Sequence, residues 1–103
     1  MPNRKKLKEV ISKNYNPDAL FADGLDDAII GIGHQWGQNH VAIYDSIRCI
    51  EILKDEYIKT TPELSDEDAY TMAEEWFSYN VECAFVGPNT PIFITPVEYI
   101  VEE

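Results

Sequence analysis

Apolar residues recur along the chain with two different spacings, and the changes from one to the other mark six elements. Leu7, Val10, Ile11 and Tyr15 lie at helical spacing with lysines on the opposite side, predicting a short amphipathic helix over residues 4–15. Asn16-Pro17-Asp18 ends it, since the residue before proline is pushed out of the helical region. Residues 28–35 and 40–44 are rich in β-branched side chains and flank Trp36-Gly37-Gln38-Asn39, which has turn composition, so a hairpin follows. Past Asp45 the period becomes helical again. Ser46 is the predicted cap of a helix reaching Tyr57 or Ile58, with Ile47, Cys49, Ile50, Leu53 and Tyr57 on one face. Residues 60–64 read as a loop, and Ser65-Asp66-Glu67-Asp68 resembles a capping box with Asp in place of Glu. The helix it opens is expected to run to about Phe85, with Ala69, Ala73, Trp76, Phe77, Asn80 and Ala84 inside, extended by Tyr70 and Val81. Gly87 suits the left-handed position after a helix, and Pro88 prevents continuation. Residues 91–96 predict a third strand between two prolines, and residues 97–103 a frayed or weakly paired tail.

These elements predict a single α+β domain over residues 1–103, an antiparallel hairpin plus a third strand packed against two helices, in the order α-β-β-α-α-β. A two-residue loop at Gly37-Gln38, of type II′, would pair Trp36 with Asn39, His34 with Val41 and Ile32 with Ile43. Ile30, Ile32, Val41 and Ile43 would then share the face covered by a helix. The other face would hold Ile29, Gly31, Gly33, His40, Ala42 and Tyr44, with Tyr44 over Gly31, making Gly31, Gly33, His40 and Tyr44 an alternative ligand face. In that register His34 and His40 fall on opposite faces, whereas a three-residue loop would bring them face to face and split the isoleucines. No metal site is expected, because no CxxC or HxxxH pattern adds further ligands. Asp23-Gly24-Leu25-Asp26-Asp27 suggests a cation loop, but Gln35 stands where a calcium loop has its terminal glutamate, so a turn is expected.

Charge sharpens the picture. The formal net charge is -11, yet Arg4, Lys5, Lys6, Lys8 and Lys13 all lie in the first 13 residues, so residues 1–15 form a basic helix and residues 16–103 an acidic body. The basic helix is expected to dock on that body or to engage a partner separately. An acidic body repels nucleic-acid phosphates and favours a host protein with a basic surface, and direct nucleic-acid binding is not expected. Asp66, Glu67, Asp68, Glu74 and Glu75, on and near one helix, are the candidate contacts; taken singly, each also suits a solvated face. No apolar run approaches the ~20 residues of a membrane span, and no signal-peptide pattern is present, so a soluble cytoplasmic protein is expected.

Chemistry is sparse. Cys49 and Cys83 lie in predicted helices, where buried reduced thiols are expected rather than a disulfide, and such thiols are poor nucleophiles. Gly31-x-Gly33 precedes a turn and a strand rather than a helix, so it is no dinucleotide fingerprint, and no phosphate loop occurs. No catalytic residues and no cofactor are assigned.

Asp23 to Gly31, Val41 to Asp45, Cys49 to Leu53, the aromatic helix ending Asn80 to Gly87, and Thr90 to Phe93 together resemble a family of small uncharacterised acidic proteins encoded by bacteriophages. The resemblance covers roughly residues 20 to 95. Family members often carry glycine where Cys83 stands. The resemblance implies action inside an infected bacterium, and it implies no activity or functional residue. The function expected is therefore that of a non-catalytic accessory protein binding a host protein, such as a nuclease or a defence factor, including by mimicry of phosphate spacing. The alternative is a small-molecule or metal-binding module, or a minor enzyme, using the Gly31/Gly33 hairpin face.

Overall fold

The computed structural model describes residues 4–82 and 84–100. Helix α1, Arg4–Val10, continues as a π-helical turn, Ile11–Tyr15, which Asn16 closes by donating its N–H to the Ile11 carbonyl at 2.8 Å. Its apolar side is buried at Ile11, and on its polar side the Lys8 ammonium stands 3.3 Å from Asp26 Oδ1 and over the Phe21 ring. Asp26 lies in a 3-10 turn, Asp26–Ala28, so the first helix is docked on the acidic body.

Strand β1, Ile29–Gly33, pairs antiparallel with β2, Val41–Asp45, and β3, Ile92–Ile94, pairs parallel with β2 on its other edge. Helices α2, Ser46–Thr60, and α3, Asp66–Phe77, form the crossover between the two parallel strands, and α3 widens into a π-helical turn, Ser78–Glu82. The chain is thus α+β in the order the patterning predicts, with a mixed sheet because a helical crossover brings β3 back in the direction of β2.

Register departs from expectation by one residue. Gly33 faces Val41, Ile32 faces Ala42 and Gly31 faces Ile43, and an irregularity then brings Ile29 opposite Tyr44. The cause is the connection. Residues 34–40 all lie outside the ladder, and the turn within them is closed by Gln38 N–H donating to the Gln35 carbonyl. Gly37, at φ 76°, occupies the third turn position, as in a type II turn, rather than the first central position of a two-residue loop. Trp36 does not face Asn39 across a tight turn; it is 99% exposed at the loop tip. Because side chains alternate, the slip exchanges the faces. Ala42 and Tyr44 point into the core beside Ile29 and Ile32, and the bulge lets those two isoleucines, three residues apart, share a side. Ile43 lies on the opposite face, and Ile30, in the bulge, is exposed.

Phe93 pairs with Tyr44 in the parallel ladder, so it too points inward, stacking on Tyr44 at 5.2 Å and meeting Phe77 edge-on at 5.3 Å. Ile11, Leu25, Cys49, Ile50 and Ala73 complete this core. The cap of α2 is Asp45 rather than Ser46. Still in extended backbone at the end of β2, Asp45 accepts the Ile47 and Arg48 N–H groups on Oδ1 at 2.9 and 3.1 Å, while Ser46 is already helical and buried. Ser65 caps α3 as predicted, its Oγ accepting Asp68 N–H at 3.1 Å. The buried stripe of α3 is narrower than predicted. Ala69, Ala73 and Phe77 are buried, but Trp76, Asn80 and Ala84 are exposed, the last two after the helix has widened and turned its later side chains off the stripe. Gly87 does have positive φ, 111°, in a turn that follows the helix and is closed by the Thr90 hydroxyl, which donates to the Gly87 carbonyl and accepts Val86 N–H. A 3-10 turn, Val97–Tyr99, occupies part of the predicted frayed tail. Residues 1–3, Cys83 and the last three tail positions lie outside the described residues.

Candidate functional site

Asp66, Glu67, Asp68, Glu74 and Glu75 are all exposed along α3. The first three occupy its opening turn, where the unpaired amides of a helix favour negative charge. Among the described residues none of the five carboxylates has an ion-pair partner. No lysine or arginine follows Lys59 in the sequence, so α3 itself carries no cation.

Aromatic surface runs beside these acids. Met72, Trp76 and Tyr79 recur at helical spacing and are 40%, 43% and 79% exposed. With Tyr57 of α2 and Glu75 they line a shallow groove of about 300 Å³. Trp76 also closes a smaller groove of about 210 Å³ formed by Leu53, Glu56, Tyr57 and Thr60. The signal for this second stripe was present in the spacing 72, 76, 79, parallel to the buried stripe 69, 73, 77. In the hydrophobic pattern Trp76 falls in with the inner stripe, and Met72 and Tyr79 do not stand out.

On its far side Trp76 borders a deeper groove of about 340 Å³, lined by Phe21, Asp23, Leu25, Asn80 and Phe93 among others. Asp23 is the charged residue of this lining. Asn80 Nδ2 donates to the Trp76 carbonyl at 3.2 Å. Nearby, Ala22 N–H donates to the buried Tyr44 hydroxyl at 2.9 Å. Burial pushes that phenol up to about 12, the Ala22 bond opposes the shift, and the negative charges of Asp26 and Asp23 add to it.

The hairpin end is arranged differently from expectation. His34 and His40 meet, ring centroids 4.2 Å apart and inclined by 32°, with Tyr15 5.3 Å from His40 on a tilted ring. They meet because both belong to the broad loop, where strand alternation no longer separates them. Among the described residues no group of three or more His, Cys, Asp or Glu side chains gathers to hold a metal, here or around Asp23, Asp26 and Asp27. Gly31, Gly33, His40 and Tyr44 do not form one face. Tyr44 points inward, Gly31 and Gly33 share the outer face with Ile43, and a methyl group on Gly33 would stand 2.6 Å from Ile43 Cδ1. A groove of about 710 Å³ crosses that outer face between the 34–39 loop and the 85–90 segment, and includes Gly33, Gln35, Gln38 and Asn39. Asn16, 6% exposed, holds the loop in place: its Nδ2 donates to the His40 carbonyl at 2.8 Å and to Asn89 Oδ1 at 2.9 Å, and its Oδ1 accepts Asp18 N–H. Asn89 Oδ1 also accepts from Asn39.

Cys49 is fully buried, and burial, with Asp45 adding, pushes its thiol up to about 12, which leaves it inert as a nucleophile near neutral pH. No described helix is long and apolar enough to cross a membrane. Compared with protein-family models, curated proteins and solved structures, the chain matches none.

Proposed function

We propose that this is a non-catalytic, phage-type accessory protein that binds a basic surface of a host protein through the exposed face of α3, inhibiting a nucleic-acid-binding or defence factor in the host cytoplasm. The observation that carries this reading is the exposed Met72, Trp76 and Tyr79 stripe beside Glu74 and Glu75, on a helix that itself carries no lysine or arginine. Protein interfaces concentrate their binding energy in large aromatic anchors surrounded by polar rims, and charge complementarity selects the partner and speeds encounter. The carboxylates supply the second property and Trp76 the first. The resemblance to phage-encoded proteins supports an infected bacterium as the setting.

The test is a complex captured from host lysate and then titrated with purified partner. Reversing Glu67, Glu74 and Glu75 to lysine should weaken it well over tenfold while the circular dichroism spectrum is retained, and the parent complex should loosen steeply as salt rises. A reversed variant that binds as tightly as the parent at physiological salt defeats the proposal.

A second reading has its own observation. The outer hairpin groove is lined by amides, apolar side chains, His34 and Thr90, with no carboxylate among the described residues that line it, in an otherwise acidic protein. Such a groove suits a neutral small molecule, whose binding would be insensitive to salt.

A further inference from the structure

We infer that the groove between the 20–25 segment and the end of α3 receives an arginine side chain of the basic partner, an inference that rests on the binding reading above. Four features support it. The walls include Phe21, Leu25, Val81 and Phe93, apolar surface against which an aliphatic stem can lie. Asp23 is the charged side chain in the lining, and among the described residues its carboxylate makes no ion pair or hydrogen bond; Lys8 is committed to Asp26 instead. Asn80 Oδ1 is a further acceptor without a partner among the described residues, its Nδ2 being bonded back to the Trp76 carbonyl. The Thr90 hydroxyl, by contrast, already donates to Gly87 and accepts from Val86. Apart from the second hydrogen of Asn80 Nδ2, the free side-chain polar groups are therefore acceptors, one of them charged, and they favour a cationic donor. Trp76 distinguishes which cation. A planar guanidinium stacks on an indole and offers a carboxylate two parallel N–H groups, whereas a lysine ammonium is a compact, strongly hydrated point charge.

The groove can be probed without the partner. A capped tripeptide with one central arginine, its citrulline counterpart and its lysine counterpart would be titrated into the 15N-labelled protein, following the indole N–H signals. Trp36, at the loop tip, is an internal control for Trp76. The arginine peptide should shift the Trp76 signal saturably and leave Trp36 in place, with the citrulline peptide and the Asp23→Asn variant each at least fivefold weaker and the lysine peptide in between. The inference is overturned if arginine and citrulline peptides titrate alike, if Asp23→Asn binds like the parent, or if Trp76 stays unmoved at millimolar peptide. Asp23 lies outside α3, which separates the two claims. In the captured complex, an Asp23→Asn variant of parental affinity alongside a weakened Glu67, Glu74 and Glu75 reversal sinks the arginine site and leaves the α3 face standing. A tripeptide response that depends on Asp23, alongside a reversed variant that still binds its partner tightly, does the opposite.

Discussion

Gly33→Ala tests the observed strand register, because the added methyl meets a side chain that the hydrophobic pattern places on the other face. Its Cβ would lie 2.6 Å from Ile43 Cδ1 and 3.2 Å from Ile43 Cγ1, against the 3.4–4 Å of ordinary contact. Ile43 must move by roughly 1 Å. Overpacking of this kind costs about 1–3 kcal/mol, and half-buried Ile43, able to swing outward, places the cost near the lower end, about 1 kcal/mol. Ile43→Val alone removes Cδ1 and should cost about 0.5–1 kcal/mol. In the double variant the new methyl occupies the space that Cδ1 vacated, so the combined loss should fall short of the sum by about 1 kcal/mol. The intrinsic preference of a strand for alanine over glycine enters both arms of the cycle and cancels. Urea unfolding of the four proteins, with unchanged slopes, measures the coupling. In the register that pairs Ile32 with Ile43, the methyl added at position 33 and the Ile43 side chain lie on opposite faces. Additivity within about 0.3 kcal/mol would therefore refute the observed pairing.

Other substitutions separate roles that the fold assigns. Asp45→Ala should cost about 1–2 kcal/mol through loss of the α2 cap, seen as a lower urea midpoint, whereas Ser46→Ala removes no cap. Trp76→Ala should cost on the order of 1–2 kcal/mol, below the ~3–5 of a fully buried tryptophan, while weakening the captured complex more than tenfold. Cys49 stays protonated in the fold up to about 12 but ionises from 9.0 in the unfolded chain, so its contribution is complete below pH 9 and is lost as pH rises toward 12. Unfolding followed from pH 8 to about pH 10.5 should show a loss of about 2 kcal/mol from this residue, and Cys49→Ala should flatten that slope. The Tyr44 phenol, raised from 10.0 to about 12, adds a similar but later decline.

Helices, strands and their order were legible because the spacing of Leu7, Val10 and Ile11, the β-branched runs and Ser65 act locally. Register was not. It depends on whether the chain reverses in two residues or seven, and Trp36-Gly37-Gln38-Asn39 is compatible with both until tertiary contacts such as Asn16 to His40 choose. The error spread from there, reversing the faces of Tyr44 and Ile43, separating Tyr44 from Gly31 and Gly33, and parting two histidines that in fact stack. Trp76 failed for a different reason. Two apolar stripes run along α3, and only the packing of α2 and the sheet decides that 69, 73 and 77 are covered while 72, 76 and 79 are left open. The acidic positions on α3 were legible, since charge needs no partner to reach solvent.

Asn16 bears on the order in which this molecule assembles. Its amide group joins segments 24 and 73 positions away. Closing so long a loop for two hydrogen bonds is unfavourable until the helices and sheet have brought its ends together. The junction is therefore expected to form late in folding, after the rate-limiting barrier, and on the ribosome the Asn16–Asn89 bond must wait until Asn89 has emerged. Its truncation to alanine should leave the folding rate nearly unchanged and speed unfolding. A shorter lifetime of the folded state, and with it faster cleavage by proteases that act before the chain recloses, is the expected consequence of losing this one buried amide.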